Sequence, residues 1–171
     1  HHGGSGNDIF NINSSNSRIY GEDGDDIFNI IKGDNNMIDG GAGTNTVTGT
    51  VGTNTTINVV GANSGTVSLV KGVEQTITVN GIDYTVSTNN TQAELVYRLD
   101  TSGLITFSRT SGSIIVKGDM NKKHNVTIKE GITFYGGNKG DNIESIDATI
   151  YCGSGNNTLT LKHGDLVFCG S

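Results

Sequence analysis

Acidic residues stand among glycines in two short segments near the start of the 171-residue chain. The segments read GGSGNDIFN from Gly3 and GEDGDDIFN from Gly21. A third segment, GGAGTNTVT from Gly40, has the same layout with Asn in place of the last Asp. Glycine permits tight turns and lets the backbone approach an ion closely. Because carbonyl and carboxylate oxygens are the ligands that hard divalent cations prefer, these turns indicate cation binding.

The composition favours strands and turns over helices. The chain contains 26 Gly, no Pro and no Trp, and much of the remainder is Asn, Thr and Ser. Its formal charge of -6 argues against a nucleic-acid partner, which requires clustered Lys and Arg. No apolar run reaches the length of a membrane span. The opening His1-His2 has the character of an affinity-tag remnant and takes no part in the functional argument.

A large apolar residue recurs after the glycine-rich turns at a fixed interval. Phe10 and Phe28 are 18 residues apart with Ile19 midway between them, and Ile38 and Val47 are 9 residues apart. A constant period of this kind predicts a solenoid, in which each repeat stacks on the next.

The three segments resemble the nonapeptide G-G-x-G-x-D-x-U-x, where U is a large apolar residue, of the RTX (repeats-in-toxin) family. The resemblance implies a parallel β-roll with two nonapeptides in each coil and with calcium between stacked turns on one side. We therefore expect an all-β fold, and a calcium site at the first, third and sixth positions of each turn. These positions are Gly3, Ser5, Asp8, Gly21, Asp23, Asp26, Gly40, Ala42 and Asn45.

The match departs from the pattern on the other side of the coil, where NSSNSRI and KGDNNMI place Ser17 and Asn36 at the position of the Asp. Calcium is therefore expected to line one side only. A site that includes the neutral Asn45 is expected to be weaker than one shared by Asp8 and Asp26. Asp and Asn beside Gly are also common in turns without metal, and GGSG is also typical of a cloning linker.

The acids outside the matched position have a simpler interpretation. The side chains of Asp23 and Asp25 are expected to face solvent or to lie just outside the direct ligands of the ion. Solvent exposure is also expected of Asp141 in the later turn GGNKGDN, and of His124 and His163, which stand near turns and lysines.

The far end of the chain repeats as well. Val116, Phe134, Ile150 and Val167 follow one another at intervals of 16 to 18 residues, which predicts a second stack of coils. Asn142 and Asn157 are assigned there to the position of the Asp, so a hydrogen-bonded ladder without metal is expected.

Cys152 and Cys169 occupy the same place in successive repeats. Neighbouring strands lie within the distance that a disulfide tolerates, so the two residues form either a bridge or a pair of stacked thiols.

The period is lost between about Val70 and Lys117. The run ITVNGIDYTV predicts a β-hairpin at Asn80-Gly81, TQAELVYRL predicts a short helix although it also alternates like a strand, and LITFSRTSGSIIV predicts a second hairpin. This order resembles a small flagellin-type insertion motif. It predicts a compact ββαββ-like insert that projects from the coils or caps them.

The insert divides the predicted chain into three domains. These are an N-terminal solenoid over 3–70, the insert over 71–117 and C-terminal coils over 118–171. Tyr84, Tyr97 and Phe107 are expected to form the core of the insert rather than a ligand platform.

Sequence motifs for catalysis are absent: the chain has no serine elbow, HExxH, phosphate loop or dinucleotide fingerprint. We therefore expect no enzyme. The enzymatic alternative is a polysaccharide-cleaving parallel β-helix, which needs carboxylates on successive strands, whereas here they lie in turns. A flat threonine array for binding ice or a crystal requires Thr at the same place in every coil, and TVTGT and TLTL do not keep that register.

The resemblance implies a calcium-binding structural module of a large secreted or surface-exposed bacterial protein, such as an adhesin, a surface-layer protein or an RTX exoprotein. Its expected location is extracellular or on the bacterial cell surface. Its expected partners are calcium, surface glycans and neighbouring copies of the protein. Both ends of the chain fall within a repeat, so further coils are expected outside it.

Overall fold

The computed structural model describes residues 1–60 and 63–170, which form nineteen strands in two sheets. The first sheet contains β1 His2–Ser5, β3 Arg18–Asp23, β5 Met37–Asp39, β7 Thr56–Val59, β9 Gln75–Val79, β10 Ile82–Ser87, β13 Ile114–Gly118, β15 Ile132–Tyr135, β17 Thr149–Gly153 and β19 Leu166–Cys169. The second sheet contains β2 Ile9–Ile12, β4 Ile27–Ile30, β6 Thr46–Thr50, β8 Ser64–Val70, β11 Gln92–Leu99, β12 Ile105–Ser111, β14 Asn125–Ile128, β16 Asn142–Ser145 and β18 Thr158–Leu161. No helix occurs within the described ranges.

Successive strands alternate between the two sheets except at β9–β10 and at β11–β12, where two consecutive strands lie in the same sheet, so each coil contributes one strand to each sheet. In the first sheet the order is β1-β3-β5-β7-β9-β10-β13-β15-β17-β19, and in the second it is β18-β16-β14-β12-β11-β8-β6-β4-β2. The predicted all-β solenoid is confirmed. Both sheets continue through residues of all three predicted domains, so the coils form one stack.

The apolar period sets the register of this stack. Phe10 pairs with Phe28, Ile19 with Ile38, and Phe134 with Ile150, as the spacing of the repeats predicts. The strands are short and their side chains alternate between the core and solvent. The inward apolar residues of all coils therefore form one continuous core between the sheets.

One level of the stack runs in the reverse direction. β9 and β10 form an antiparallel hairpin at Asn80-Gly81, where both residues have positive φ, 50° and 76°. β11 then pairs antiparallel with both β8 and β12, after which parallel stacking resumes. The hairpin at Asn80-Gly81 is confirmed. The expectation that this segment projects from the coils or caps them is wrong, because its strands lie inside both sheets.

The predicted helix and the second hairpin are also wrong. All of TQAELVYRL except Thr91 forms β11, because strands on both sides pair with it and because Ala93, Leu95 and Tyr97 alternate into the core. β12 and β13 lie in different sheets, so the segment around Gly112 is a corner between sheets and not a hairpin turn. The expectation that Tyr84, Tyr97 and Phe107 are core residues is confirmed, since all three are buried.

Candidate metal centre

The three glycine-rich turns lie directly over one another at one corner of the solenoid. Ser5 pairs with Asp23, and Asp23 forms a parallel bridge with Ala42. The amide of Gly6 donates to the carbonyl of Asp23 at 2.8 Å. The predicted calcium-binding positions of the three turns are thus brought together on three successive levels.

The sixth position of each turn is part of a ladder that runs along the solenoid axis. The amide N–H of Asp8 donates to Oδ1 of Asp26 at 2.9 Å, and the amide of Asp26 donates to Oδ1 of Asn45 at 2.8 Å. The amide of Asn45 continues the ladder to Oδ1 of Asn63 at 2.6 Å. Each side chain therefore satisfies a buried backbone donor of the preceding coil, which folding requires with or without an ion.

The first glycine of each turn makes room for this carboxylate. A Cβ at Gly21 would overlap Oδ2 of Asp26 and would lie 2.5 Å from the carbonyl oxygen of Gly40. A Cβ at Gly3 would overlap Oδ2 of Asp8 in the same way. Packing of the carboxylate thus explains the spacing between the first glycine and the Asp in the motif.

The second carboxylate oxygen of these acids has no hydrogen-bond partner. Oδ2 of Asp8 and Oδ2 of Asp26 are buried, and no donor of the described residues reaches them. Asp26 itself is only 1% exposed. A buried carboxylate oxygen without a donor costs free energy, about 1–3 kcal/mol for a typical polar group and more for a charged one.

At Asn45 the position that corresponds to Oδ2 of Asp8 and Asp26 is occupied by the amide nitrogen Nδ2. Its Nδ2 donates to the carbonyl oxygens of Gly41 and Ala42, both at 3.3 Å. The corresponding carbonyls at the level of Asp26 belong to Glu22 and Asp23.

The backbone supports this correspondence between levels, because φ is +95° at Gly4, +76° at Glu22 and +73° at Gly41. By this correspondence, we infer that at Asp8 and Asp26 a carboxylate oxygen replaces a hydrogen-bond donor beside carbonyl oxygens. A carbonyl oxygen has two lone pairs and can contact a cation while it accepts one hydrogen bond. We call each such set of oxygens, formed by the buried carboxylate and the two carbonyls of its turn, an oxygen cradle.

No donor of the described residues reaches the carboxylate oxygen of either oxygen cradle. A cation would satisfy this oxygen. Calcium prefers six to eight oxygen ligands, of which backbone carbonyls and carboxylates are typical. The described residues contain no group of three or more His, Cys, Asp and Glu side chains placed to hold a metal. Backbone carbonyls would therefore have to supply a large share of the ligands.

Charge is concentrated in the same part of the molecule. Residues 1–60 contain seven acidic and two basic residues, whereas residues 61–171 contain ten acidic and nine basic residues. Asp23 and Asp25 are exposed, as predicted, and Oδ1 of Asp25 accepts a hydrogen bond from the amide of Thr44 at 2.7 Å. These exposed acids add negative potential around the cradles.

The opposite corner has a neutral ladder. Oδ1 of Asn36 accepts from the amide of Ser17 at 2.9 Å, and Oε1 of Gln75 accepts from the amide of Thr55 at 3.1 Å. Asn36 also donates its Nδ2 to the carbonyl of Ser14 at 2.9 Å. The donor groups at Asn36 are matched by acceptors, so this corner has no equivalent of the cradle at Asp26.

The C-terminal coils continue the ladder with a different chemistry. The amide of Asp141 donates to Oδ1 of Asn157 at 2.8 Å, and the amide of His124 donates to Oδ1 of Asp141 at 2.9 Å. The ladder at Asn157 agrees with the prediction, but its neighbour is Asp141 and not Asn142. Asn142 is exposed and pairs with Thr158 one position further along the strand.

Asp141 and His124 were predicted to lie at the surface, and both predictions are wrong, since each is 0% exposed. Nδ1 of His124 lies 2.9 Å from Oδ1 of Asp141, and the amide of Gly137 donates to Oδ2 at 3.1 Å. Burial raises the pKa of Asp141, but hydrogen bonds from His124 and Gly137 and the charge of His124 more than offset it. The pKa of Asp141 therefore lies below its ordinary value. Unlike Asp26, this carboxylate has donors at both oxygens.

Two further groups complete this region. Tyr84 lies with its ring centroid 5.4 Å from that of His124, and burial together with the negative charge of Asp141 raises the pKa of Tyr84. His163 is exposed, as predicted, and its Nδ1 lies 2.8 Å from Oδ1 of Asp147. The hydrogen bond and the charge of Asp147 raise the pKa of His163.

A signal for the C-terminal ladder was present in the sequence. In the first two turns the ladder residue stands two positions before an inward apolar residue, as Asp8 does before Phe10. The same offset places His124 before Val126, Asp141 before Ile143 and Asn157 before Leu159. The offset identifies the ladder better than similarity of the turn residues, which suggested Asn142.

Cys152 and Cys169 form a disulfide between successive coils, with their Cα atoms 4.9 Å apart. The bridge joins β17 to the end of β19. Of the two alternatives that the sequence left open, the structure has the disulfide.

The fold defines the class of this protein as a β-solenoid with one reversed level. Comparisons with protein families, with curated proteins and with solved structures found no match to the chain. Among the residues that the structure describes, there is no helix with the length and hydropathy to cross a membrane.

Proposed function

We propose that this β-solenoid is a calcium-binding structural module of a large secreted or surface-exposed bacterial protein, such as an adhesin, a surface-layer protein or an RTX exoprotein. The observation that carries the proposal is the unpartnered, buried Oδ2 of Asp26, together with the equivalent atom of Asp8. The resemblance of the three turns to the RTX nonapeptide agrees with this assignment.

The ligands of the ion would be supplied from two levels. The carboxylates of Asp8 and Asp26 supply the charge, and the carbonyls of the stacked turns supply neutral oxygens. At the next level Asn45 donates its amide hydrogens to Gly41 and Ala42, so that level places a donor where Asp8 and Asp26 place a carboxylate oxygen. We therefore expect the strongest site at Asp8 and Asp26 and a weaker or absent one at Asn45.

Calcium acts here on folding and not on a substrate. An ion that binds only the stacked coils stabilises them by mass action, by about 2.7 kcal/mol at a concentration 100 times the dissociation constant. Calcium is scarce inside cells and abundant outside them, so the acidic coils would become ordered after export. The module would then serve as a spacer or a contact surface, with surface glycans or neighbouring copies of the protein as partners.

The test is isothermal titration calorimetry with CaCl2 on protein that has been stripped of metal with EDTA and then freed of EDTA. Calcium should bind the wild type and should bind the variant Asp26→Asn at least tenfold more weakly. Asn fills the ladder position at residue 45, so the substitution retains the ladder while removing the charge.

Asp34→Asn is the matched control, because Asp34 is an exposed acid at the opposite corner and its Oδ1 likewise accepts from a backbone amide, that of Thr53 at 2.7 Å. This variant should bind calcium like the wild type. If the wild type binds no calcium, or if both variants weaken binding equally, the proposed function is wrong.

A further inference from the structure

Each strand of the reversed level, β10 and β11, has one neighbour that is local in sequence, β9 or β12, and one that is more than 20 residues away, β13 or β8. Val79 pairs with Ile82 across the turn between β9 and β10, and Leu99 pairs with Ile105 across the turn between β11 and β12. In the coils, by contrast, each residue pairs with one a whole coil away, as Phe10 does with Phe28. Closing a short loop costs less entropy than closing a long one, so the reversed level can form before the coils around it.

The two largest fully buried side chains of the described residues, Tyr84 and Tyr97, lie in the two reversed strands, β10 and β11. Tyr84, Tyr97 and Phe107 are among the largest fully buried residues of the protein. The rings of Tyr84 and Phe107 lie 5.3 Å apart between centroids, in a tilted arrangement. Large aromatic side chains contribute most to the hydrophobic stabilisation of a core, so this part of the stack is expected to be the most stable.

In the coils that follow the reversed level, the buried carboxylate is satisfied by donors of the chain itself. Both carboxylate oxygens of Asp141 have donors, and His124 supplies two of them from within the chain. The disulfide between Cys152 and Cys169 adds a covalent link between the last two coils.

The coils that precede it have the opposite properties. Their ladder contains the unpartnered oxygens of Asp8 and Asp26. In a solenoid each coil contacts only its neighbours, so a stability difference of this kind is not averaged over the whole stack.

We propose that residues 63–170 form a base that is folded without an ion, and that residues 1–60 form an arm that a divalent cation orders on that base. The arm unfolds while the base remains folded. The cation dependence of the arm rests on the proposed function, whereas the order of unfolding rests on the packing of the reversed level and the local pairing.

The experiment is native-state hydrogen exchange of the whole chain, measured by mass spectrometry along a urea gradient in CaCl2 and in EDTA. In EDTA the amides of the arm should lose protection at a lower urea concentration than those of the base. CaCl2 should move the midpoint of the arm to higher urea and leave that of the base in place.

Two matched substitutions test the order of unfolding without calcium. Phe28 and Phe134 are both fully buried inward residues, one in the arm and one in the base. Phe28→Ala should lower the urea midpoint of the arm only. Phe134→Ala should lower the urea midpoint of the base. Because the arm is ordered on the base, the midpoint of the arm in Phe134→Ala should not lie above that of the base.

The outcomes separate the two proposals. A single midpoint for all amides, or a shift of the base in Phe28→Ala, overturns the division into arm and base. If calcium changes hydrogen exchange at no amide, the proposed function and the cation dependence of the arm are both wrong. The urea midpoints measured without calcium then decide whether the arm and the base unfold separately.

Discussion

The amide N–H of Asp26 donates to the side-chain oxygen of Asn45 on the next coil at 2.8 Å, so a carboxylate and an amide occupy equivalent places in one ladder. The two side chains have almost the same shape and differ in what they offer to the carbonyls of their own turn. Asn45 offers two hydrogens, and Asp26 offers only lone pairs. The chain thus contains, one coil apart, a level that is satisfied internally and a level that is not.

Asp26→Asn is expected to stabilise the protein in the absence of calcium and to destabilise it in the presence of calcium. In EDTA the new amide can donate to the carbonyls of Glu22 and Asp23, so the free energy of unfolding of the arm should rise by about 1 kcal/mol. In saturating calcium the variant should be less stable than the wild type, because it loses the stabilisation by the ion. Urea unfolding followed by circular dichroism in both buffers measures the two differences. A variant that is less stable than the wild type in both buffers would show that Oδ2 of Asp26 does not lack a partner.

Asn45→Asp is expected to have the complementary effect. The substitution replaces the donor to Gly41 and Ala42 by a carboxylate oxygen, which should destabilise the calcium-free protein by about 1–3 kcal/mol. Calcium should restore the stability and bind with a higher stoichiometry in a titration. Asn54→Asp makes the same chemical change at an exposed position and should do neither. Equal effects of the two substitutions would mean that only the net charge matters.

Gly21→Ala is expected to disrupt the corner whether or not calcium is present. The added Cβ would overlap Oδ2 of Asp26 and approach the carbonyl of Gly40, and overpacking of this kind costs about 1–3 kcal/mol. Gly170→Ala is the control, because the nearest atom to its Cβ would be 3.7 Å away. Thermal melting of the two variants in calcium and in EDTA checks the prediction. A Gly21→Ala protein that melts like the wild type would show that the carboxylate is not packed against this glycine.

Low pH is expected to destabilise residues 63–170, the base of the stack, because Asp141 becomes protonated. The pKa of Asp141 is lower in the folded protein than in the unfolded chain, so its contribution to stability is present above the unfolded value of about 3.9. The contribution is lost as the pH falls through the folded value.

The measurement is the urea midpoint of the base between pH 7 and pH 3. Asp141→Asn keeps an oxygen in the ladder, as Asn157 does, and should be less stable at pH 7 by about 1.5–3 kcal/mol. Its midpoint should then depend less on pH below about 4 than that of the wild type. Parallel pH profiles for the two proteins would exclude Asp141 as the group responsible.

Much of the fold could be predicted from the sequence, because a solenoid repeats one local solution. The spacing of Phe10 and Phe28, and of Phe134 and Ile150, specified the register of both sheets. Asn80-Gly81 specified the hairpin, because both residues tolerate the positive φ that its turn requires. These features depend on neighbouring residues or on one constant period.

The reversed level could not be predicted in the same way. TQAELVYRL has apolar residues at both helical and alternating positions, and the choice is made by pairing with β8 and β12, both of which lie outside the segment itself. The burial of His124 and Asp141 was missed for another reason. A charged residue beside glycine and lysine is usually at the surface, and only its offset from the inward Ile143 indicates the ladder.

The most direct test of calcium binding is an anomalous difference map from crystals of the protein grown in calcium and soaked with a lanthanide that replaces it. We predict a peak at the corner formed by the turns of Asp8 and Asp26, in contact with Oδ2 of Asp26, and no peak at the opposite corner beside Asn36. A map with no peak at the first corner, or with ions bound only by exposed acids such as Asp25 and Asp34, would contradict it.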